Sequence, residues 1–216
     1  MERTIAPFVP YQAVRSSKPR RGRLSYRRTT VTDVEVLVDH RHRMWSAIGH
    51  RTEAEIAEHD PRYRRWVRPR LRSGQVIGII AEAAGGEPAG SGLVWFRPDQ
   101  PRPKLPTLVS PYILSMYTVP AWRHRGVATR IVRELLVLCR EAGYPNAELH
   151  ASRFGRRVYR GLGFERTWEM RIWIDRRFAP NPRASKTHGP MGVPKRPPQS
   201  RKTGRGNRTG SLRPSS

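Results

Sequence analysis

From Tyr112 to Gly143 the chain spells a strand, a tight glycine loop and a helix, and this order constrains the fold more than any other feature. Tyr112 to Val119 is an apolar, β-prone run that Pro120 closes. Val127, Ile131, Leu135, Leu138 and Ala142 recur at intervals of three and four, so they line one face of a helix. Gly143 ends that helix, with Pro145 just beyond. The link between the two elements, Arg123-His124-Arg125-Gly126-Val127-Ala128, therefore sits at a helix N-terminus. There the first N–H groups lack helical partners and the dipole favours negative charge, which makes an anion site. Gly126 removes a side chain where backbone must approach a ligand closely. A phosphate-bearing ligand is the expectation. No Lys-Ser/Thr follows a second glycine, which excludes a Walker loop, and a single glycine excludes the three-glycine dinucleotide fingerprint.

Around this centre the pattern continues in one order. Leu24 to Thr30 reads as a strand. Thr32-Asp33-Val34-Glu35 has the spacing of a capping box, opening a helix whose Val34, Leu37, Val38, Met44, Trp45 and Ile48 share a side. Thr52-Glu53-Ala54-Glu55 starts a second helix, with an interruption expected at Pro61 and Tyr63, Trp66, Val67 and Leu71 following. Gln75 to Ala83 and Ala89 to Phe96 flank Gly85-Gly86-Glu87-Pro88, a hairpin signal. A Pro-rich loop from Arg97 to Pro111 precedes the strand already described. A strand from Ala147 to Ala151, a helix carrying Tyr159 and a last strand from Met170 to Asp175 complete the series.

Charge separates the ends from the middle. The net charge is +25, of which residues 1–24 hold +5 and residues 176–216 hold +11, leaving +9 for the 151 residues between. The ends are rich in Pro, Gly, Ser and Arg and nearly empty of large apolar residues, so both are expected to be disordered tails. This gives one folded domain, 25–176, between tails at 1–24 and 177–216. The lone Cys139 excludes an intrachain disulfide framework and a cysteine-rich zinc site. No apolar run approaches the ~18–20 residues of a membrane span, and the basic N-terminus lacks a signal peptide's apolar core, so a cytoplasmic protein is expected. Arg-rich tail segments such as Lys202-Thr203-Gly204-Arg205-Gly206-Asn207-Arg208 suggest nonspecific attraction to nucleic acid or ribosomes.

The central stretch resembles motif A of the GNAT superfamily of acetyl-CoA-dependent N-acetyltransferases, written Q/R-x-x-G-x-G/A, with Arg123, Gly126 and Ala128 at its defined positions. Arg156-Arg157-Val158-Tyr159-Arg160-Gly161-Leu162-Gly163-Phe164 is similar to the family's late signature, a helix carrying Tyr and ending in Gly-Phe. The interval between the two leaves room for one helix, one strand and one short helix, in the family's order. The likeness covers about residues 25–175 and is densest in 112–170. It implies an α/β fold of the α+β type, a mixed twisted sheet flanked by helices. It also implies acetyl-CoA as co-substrate, no metal, and a small-molecule or protein amine as acceptor, in a monomer or homodimer.

The resemblance assigns roles residue by residue. Backbone N–H groups from Arg123, His124, Arg125, Gly126, Val127 and Ala128, with Thr129 in the first helical turn, are the implied pyrophosphate site. Tyr117, Thr118 and Val119 match the strand whose main chain holds pantetheine and polarises the thioester carbonyl. Polarisation lowers the barrier because negative charge builds on that oxygen in the transition state. Tyr159 matches the general acid that protonates the departing thiolate. For a general base, the strand before the loop offers no acid, and Glu82, His150 and the His59-Asp60 pair stay open, with none assigned. Trp45, Tyr63, Trp66, Trp95, Trp168 and Trp173 are candidates to frame the acceptor, a minority of them facing it. Positive potential favours acceptors carrying a carboxylate or phosphate beside the amine. A binding protein for nucleic acid or ribosomes, with degenerate catalysis on the same scaffold, is the alternative.

Overall fold

The computed structural model describes residues 24–101, 107–172 and 174; the two expected tails, apart from Leu24, and Trp173 lie outside the described residues. Five strands form one sheet in the order β1 (Ser25–Arg28), β2 (Val76–Glu82), β3 (Pro88–Pro98), β4 (Val109–Thr118), β5 (Glu148–Leu149). The first four pair antiparallel and β5 joins β4 in parallel, so the sheet is mixed. Helices α1 (Val34–Ile48) and α2 (Glu53–Ser73) cover one face, where Leu37, Val38, Tyr63 and Val67 pack on Val76 and Leu93. Helix α3 (Val127–Glu141) covers the other, where Val127, Ile131, Val132 and Leu135 pack on Ile77, Ile79, Val94 and Ile113. A short α4 (Arg156–Gly161) follows β5. Covering on both faces explains why β2 and the centre of β3 are buried at nearly every position rather than alternately.

Three local expectations are corrected. The first helix is entered from Thr30 rather than Thr32, through a 3-10 turn at Val31–Asp33. The Asp33 carboxylate accepts from the Thr30 N–H (2.6 Å) and from both terminal nitrogens of Arg27 (2.8 and 2.7 Å), whose Nε donates to Glu82. That three-way tie joins β1, β2 and the helix entry, and no local spacing reveals it. Helix α2 runs unbroken through Pro61 and Pro69. Both prolines lie on its exposed face, as do Ala57 and Arg65, whose freed carbonyls can turn to water. Ala142 is an exposed cap residue beyond the end of α3 and not part of its apolar face.

The expected final strand is the larger difference. Among the described residues, 165–172 and 174 form no strand, and Met170, Ile172 and Ile174 are exposed. Apolar and charged side chains do alternate from Trp168 to Ile172, but β5 has only two residues. The capping box at Thr52 forms as expected: Thr52 Oγ1 accepts from Glu55 N–H and the Glu55 carboxylate accepts from Thr52 N–H. The α1–α2 pair is further clamped by His42, which bonds Asp60 (2.6 Å) and Glu53 (2.9 Å). Those hydrogen bonds, Asp60 first, raise its pKa and favour the imidazolium.

Candidate active site

The site is built by a break in the regularity of β4. Ser91 on β3 faces Tyr117, yet Leu93 faces Leu114, so β4 carries one extra residue between these pairs. Ser115 takes a left-handed φ of 52° to accommodate it, a conformation non-glycine residues adopt at a cost of order 1–2 kcal/mol. On its other edge β4 pairs with β5 only at Tyr112 and Ile113. Beyond Ile113 this edge pairs with no strand among the described residues, and Met116, Tyr117 and Thr118 line a cleft.

Two glycines of β3 make room for this bulge. A Cβ on Gly90 meets the Tyr117 carbonyl at 2.8 Å and Val127 at 3.2 Å, and one on Gly92 meets Ile131 at 2.8 Å and the Met116 side chain. Any larger residue at either place pushes β4 and α3 apart. Beneath the same stretch sits His40, buried, with Nδ1 2.8 Å from Ser91 Oγ and its ring 5.1 Å from that of Tyr117. Burial lowers its pKa to about 4. The folded state therefore holds His40 neutral, while the unfolded chain takes up a proton below about pH 6.5. The stability this gives is complete above pH 6.5 and lost as pH falls toward 4. We expect a loss of up to about 3 kcal/mol between pH 7 and 4, read by urea unfolding, with His40→Gln flattening that slope.

From β4 the chain turns through Pro120–Trp122, one 3-10 turn, into the loop before α3. Val119 N–H donates to Ala89 O, and Arg123 Nε donates to Thr118 O (3.1 Å), so both brace the strand end. His124 (φ 61°) and Gly126 (φ 78°) are both left-handed, which curls the loop around the start of the helix. A Cβ on Gly126 meets no atom within 4 Å, so the backbone conformation, together with open space in front of it, explains glycine there. The first helical bond runs from Arg130 N–H to Gly126 O. The N–H groups of Val127, Ala128 and Thr129 are thus left without helical partners, and no acid lies in the first turn to answer them.

These parts surround a cavity of about 740 Å³. Of the residues expected from sequence, Tyr117, Thr118, Arg123, His124, Gly126, Val127, Ala128, Thr129 and Tyr159 line it. Val119 and Arg125 do not; the Arg125 guanidinium lies 5.2 Å over the Trp122 ring instead. Opposite the helix end, α4 brings Tyr159 into the wall. Gly163 (φ 89°) ends α4, and Phe164 N–H bonds back to Tyr159 O, setting the two rings edge to face at 5.8 Å. Gly155 lies so close that a Cβ there meets the Tyr159 ring at 2.5 Å. Burial pushes the Tyr159 phenol up to about 12, so it stays protonated throughout the physiological range.

The open candidates for a general base all lie elsewhere. No Asp or Glu lines the cavity. Glu82 accepts from Arg27, His59 bonds the Glu55 carbonyl, Asp60 bonds His42, and His150 is exposed outside the cavity wall. The acceptor aromatics also fall away from it. Tyr63, Trp66 and Trp95 pack between α2 and the sheet, Trp45 lies against the Arg41 guanidinium, and Trp168 is exposed. Sequence reading missed Met44, Ala47 and Ile48 at the end of α1, which line the cavity with Met116, Trp122 and Phe154. Their spacing reads as one helix face, and nothing in it distinguishes a cavity wall from core. Among the described residues, no group of three or more His, Cys, Asp and Glu could hold a metal ion, and no helix is long and apolar enough to cross a membrane.

Comparison with known proteins agrees with this geometry. The family model described as the acetyltransferase (GNAT) family matches residues 34–164, from the start of α1 to the Gly-Phe after α4. Among solved structures, a GCN5-related N-acetyltransferase from Ralstonia eutropha JMP134 is 29% identical, with a TM-score of 0.66 over 70% of this chain and 98% of that one. A predicted acetyltransferase from Clostridium acetobutylicum, solved with acetyl-CoA, is 26% identical, with a TM-score of 0.65 over 70% and 96%. The aminoglycoside N-acetyltransferase AAC(6')-Iy in complex with CoA is 20% identical (TM-score 0.57, covering 74% and 99%) and shares the fold. A search of curated proteins returned no match. A helix end and a split sheet edge meet in one cavity here, over a span that the family model covers almost end to end, and the chain belongs to the GNAT acetyltransferase family as an N-acetyltransferase.

Proposed function

We propose that this chain transfers the acetyl group of acetyl-CoA to a primary amine by direct attack on the thioester, with Tyr159 as general acid. The observation that carries the reading is the opposition, across one cavity, of a helix end with unanswered N–H groups and a half-buried neutral phenol. The N–H groups of Val127, Ala128 and Thr129, with the loop from Arg123 to Gly126, receive the pyrophosphate of the substrate. The freed edge of β4 at Tyr117 and Thr118 hydrogen-bonds the pantetheine arm. Its main-chain donors hold the thioester carbonyl, whose oxygen gains charge as the amine nitrogen bonds to the carbonyl carbon. When the carbon–sulfur bond breaks, the electron pair stays on sulfur and the Tyr159 hydroxyl supplies its proton. The acetylated nitrogen sheds one proton, and the phenol is restored through water.

With no acid in the cavity wall, the proton of the incoming ammonium leaves to water. The rate should therefore follow the ionisation of the acceptor amine. A phenol at about 12 remains more than nine-tenths protonated up to about pH 11, so it imposes no falling limb below that. We expect kcat/KM to rise with pH to about 10 on an acceptor whose amine titrates near 9, with no inflection between pH 6 and 7. An inflection there in a stable protein means that an enzyme side chain is the base. For the acceptor, Arg123 in the cavity wall, with Arg125, Arg153 and Arg156 each next in sequence to a wall residue, favours amines carrying a neighbouring carboxylate or phosphate over polyamines. Competition between acceptors of opposite charge, with release of CoA as the readout, tests this preference.

A further inference from the structure

Arg51, Arg64, Arg70 and Arg97 are half-buried, and each reaches an acceptor: Glu55, Glu35, the Trp66 carbonyl and Glu148 in turn. Arg41 on α1 is equally half-buried, yet no described residue accepts a hydrogen bond or forms an ion pair with it. Its guanidinium lies over two rings instead, 4.5 Å from the centre of Tyr63 and 5.9 Å from that of Trp45. Asp60 acts on it electrostatically but stands beyond ion-pair distance, and bonds His42 at 2.6 Å. Drawing a cation out of water without an acceptor is costly, and the guanidinium has five N–H donors to answer. Held against aromatic faces, it keeps the edge of its planar fork for an anion.

Both walls of the cavity lead to this group. Arg41, Met44 and Ile48 are spaced by three and four along α1, so they share a face, and Met44 and Ile48 line the cavity. Arg41 continues that face by one helical turn, about 5 Å along the axis. On β4, Met116, Tyr117 and Thr118 line the cavity, and Ser115 precedes them at the bulge. The Tyr63 hydroxyl donates to Ser115 Oγ (3.5 Å), which ties the bulge to the ring beneath Arg41. With pyrophosphate at the helix end and pantetheine along Tyr117 and Thr118, the bulge is where the acetyl group meets its acceptor. We propose that Arg41 binds a carboxylate of the acceptor amine and so selects the substrate. The fork matches a carboxylate in two parallel hydrogen bonds. One guanidinium balances one negative charge, and Asp60 opposes a second, which favours a carboxylate over a phosphate dianion. The assignment rests on the acetyl-transfer reading of the cavity and names the residue that chooses its acceptor.

The probes are short ω-amino carboxylates of increasing length, each beside its primary amide, which keeps the amine and loses the charge. Isothermal titration of the full chain with CoA present should show one length of carboxylate binding more tightly than its amide. Arg41→Gln should weaken that carboxylate by roughly 10–100-fold, the loss of a charge-assisted pair. In turnover, the ratio of kcat/KM for carboxylate over amide should fall by a similar factor. Arg41→Lys keeps the charge and loses the fork, and should retain part of the preference. A thermal shift with acetyl-CoA verifies that each variant is folded. Wild type that binds no carboxylate more tightly than its amide overturns the inference. So does a carboxylate preference that Arg41→Gln leaves intact. Carboxylate binding that Arg41→Gln removes, in a protein that acetylates no amine, upholds Arg41 as the carboxylate site and overturns the acetyl-transfer reading instead.

Discussion

Tyr159→Phe is expected to lower kcat by roughly 10²–10⁴-fold, the usual contribution of a positioned acid. The ring stays, and with it the edge-to-face contact with Phe164 and the close approach to Gly155. What goes is the one proton the side chain can give. The dissociation constant for acetyl-CoA should move far less, because the cofactor-binding groups proposed here are main-chain groups of β4 and the helix end. Steady-state turnover and isothermal titration on the same preparation separate the two quantities. A variant with wild-type kcat reduces Tyr159 to a packing residue and leaves water as the proton donor. No hydrogen bond to the Tyr159 hydroxyl is found among the described residues, so the substitution strands no buried partner.

Gly126→Glu is expected to remove acetyl-CoA binding altogether. Wild-type protein in about a hundredfold excess of ligand over its dissociation constant gains about 2.7 kcal/mol, a rise in melting temperature of several degrees for a chain this size. A glutamate at Gly126 projects into the open space before the helix, where it answers the free N–H groups itself and repels phosphate. The left-handed φ of 78° also strains any side chain with a Cβ, by about 1–2 kcal/mol. Gly126→Asn separates the two effects, since Asn tolerates that conformation and brings no charge. It should keep part of the ligand-induced shift while Gly126→Glu keeps none. Equal shifts in the two variants mean that phosphate does not bind at this helix end.

Much of the fold was legible because its signals are local. Period-three-and-four spacing gave α3, glycines gave the β2–β3 hairpin, and Thr52 with Glu55 gave the start of α2. The site was legible where a motif writes out backbone geometry: Gly126 and Ala128 announce a loop and a helix end whatever surrounds them. Illegible features depended on residues distant in sequence. Arg27 reaching Asp33 moved the first cap to Thr30, and Gly90 and Gly92 on β3 permit the bulge at Ser115 on β4. Met44 and Ile48 read as a continuing helix face because a cavity wall and a core contact demand the same side chains. The last strand, expected at Met170 to Asp175 as the end of the series, depends on a paired edge that a local run of residues cannot report.

Cys139 is the chain's one cysteine, and it is buried on α3 with its thiol pushed up to about 11 by burial. At neutral pH almost none of it is thiolate, the form that reacts with aromatic disulfides and maleimides. The folded enzyme is therefore chemically silent toward such reagents, and a colour change during turnover reports sulfur released from the donor substrate. Continuous thiol titration can follow this enzyme against any candidate amine without a cysteine-free variant. The same silence gives a built-in alarm: a stoichiometric burst of labelling before substrate is added means that α3 has come away from the sheet.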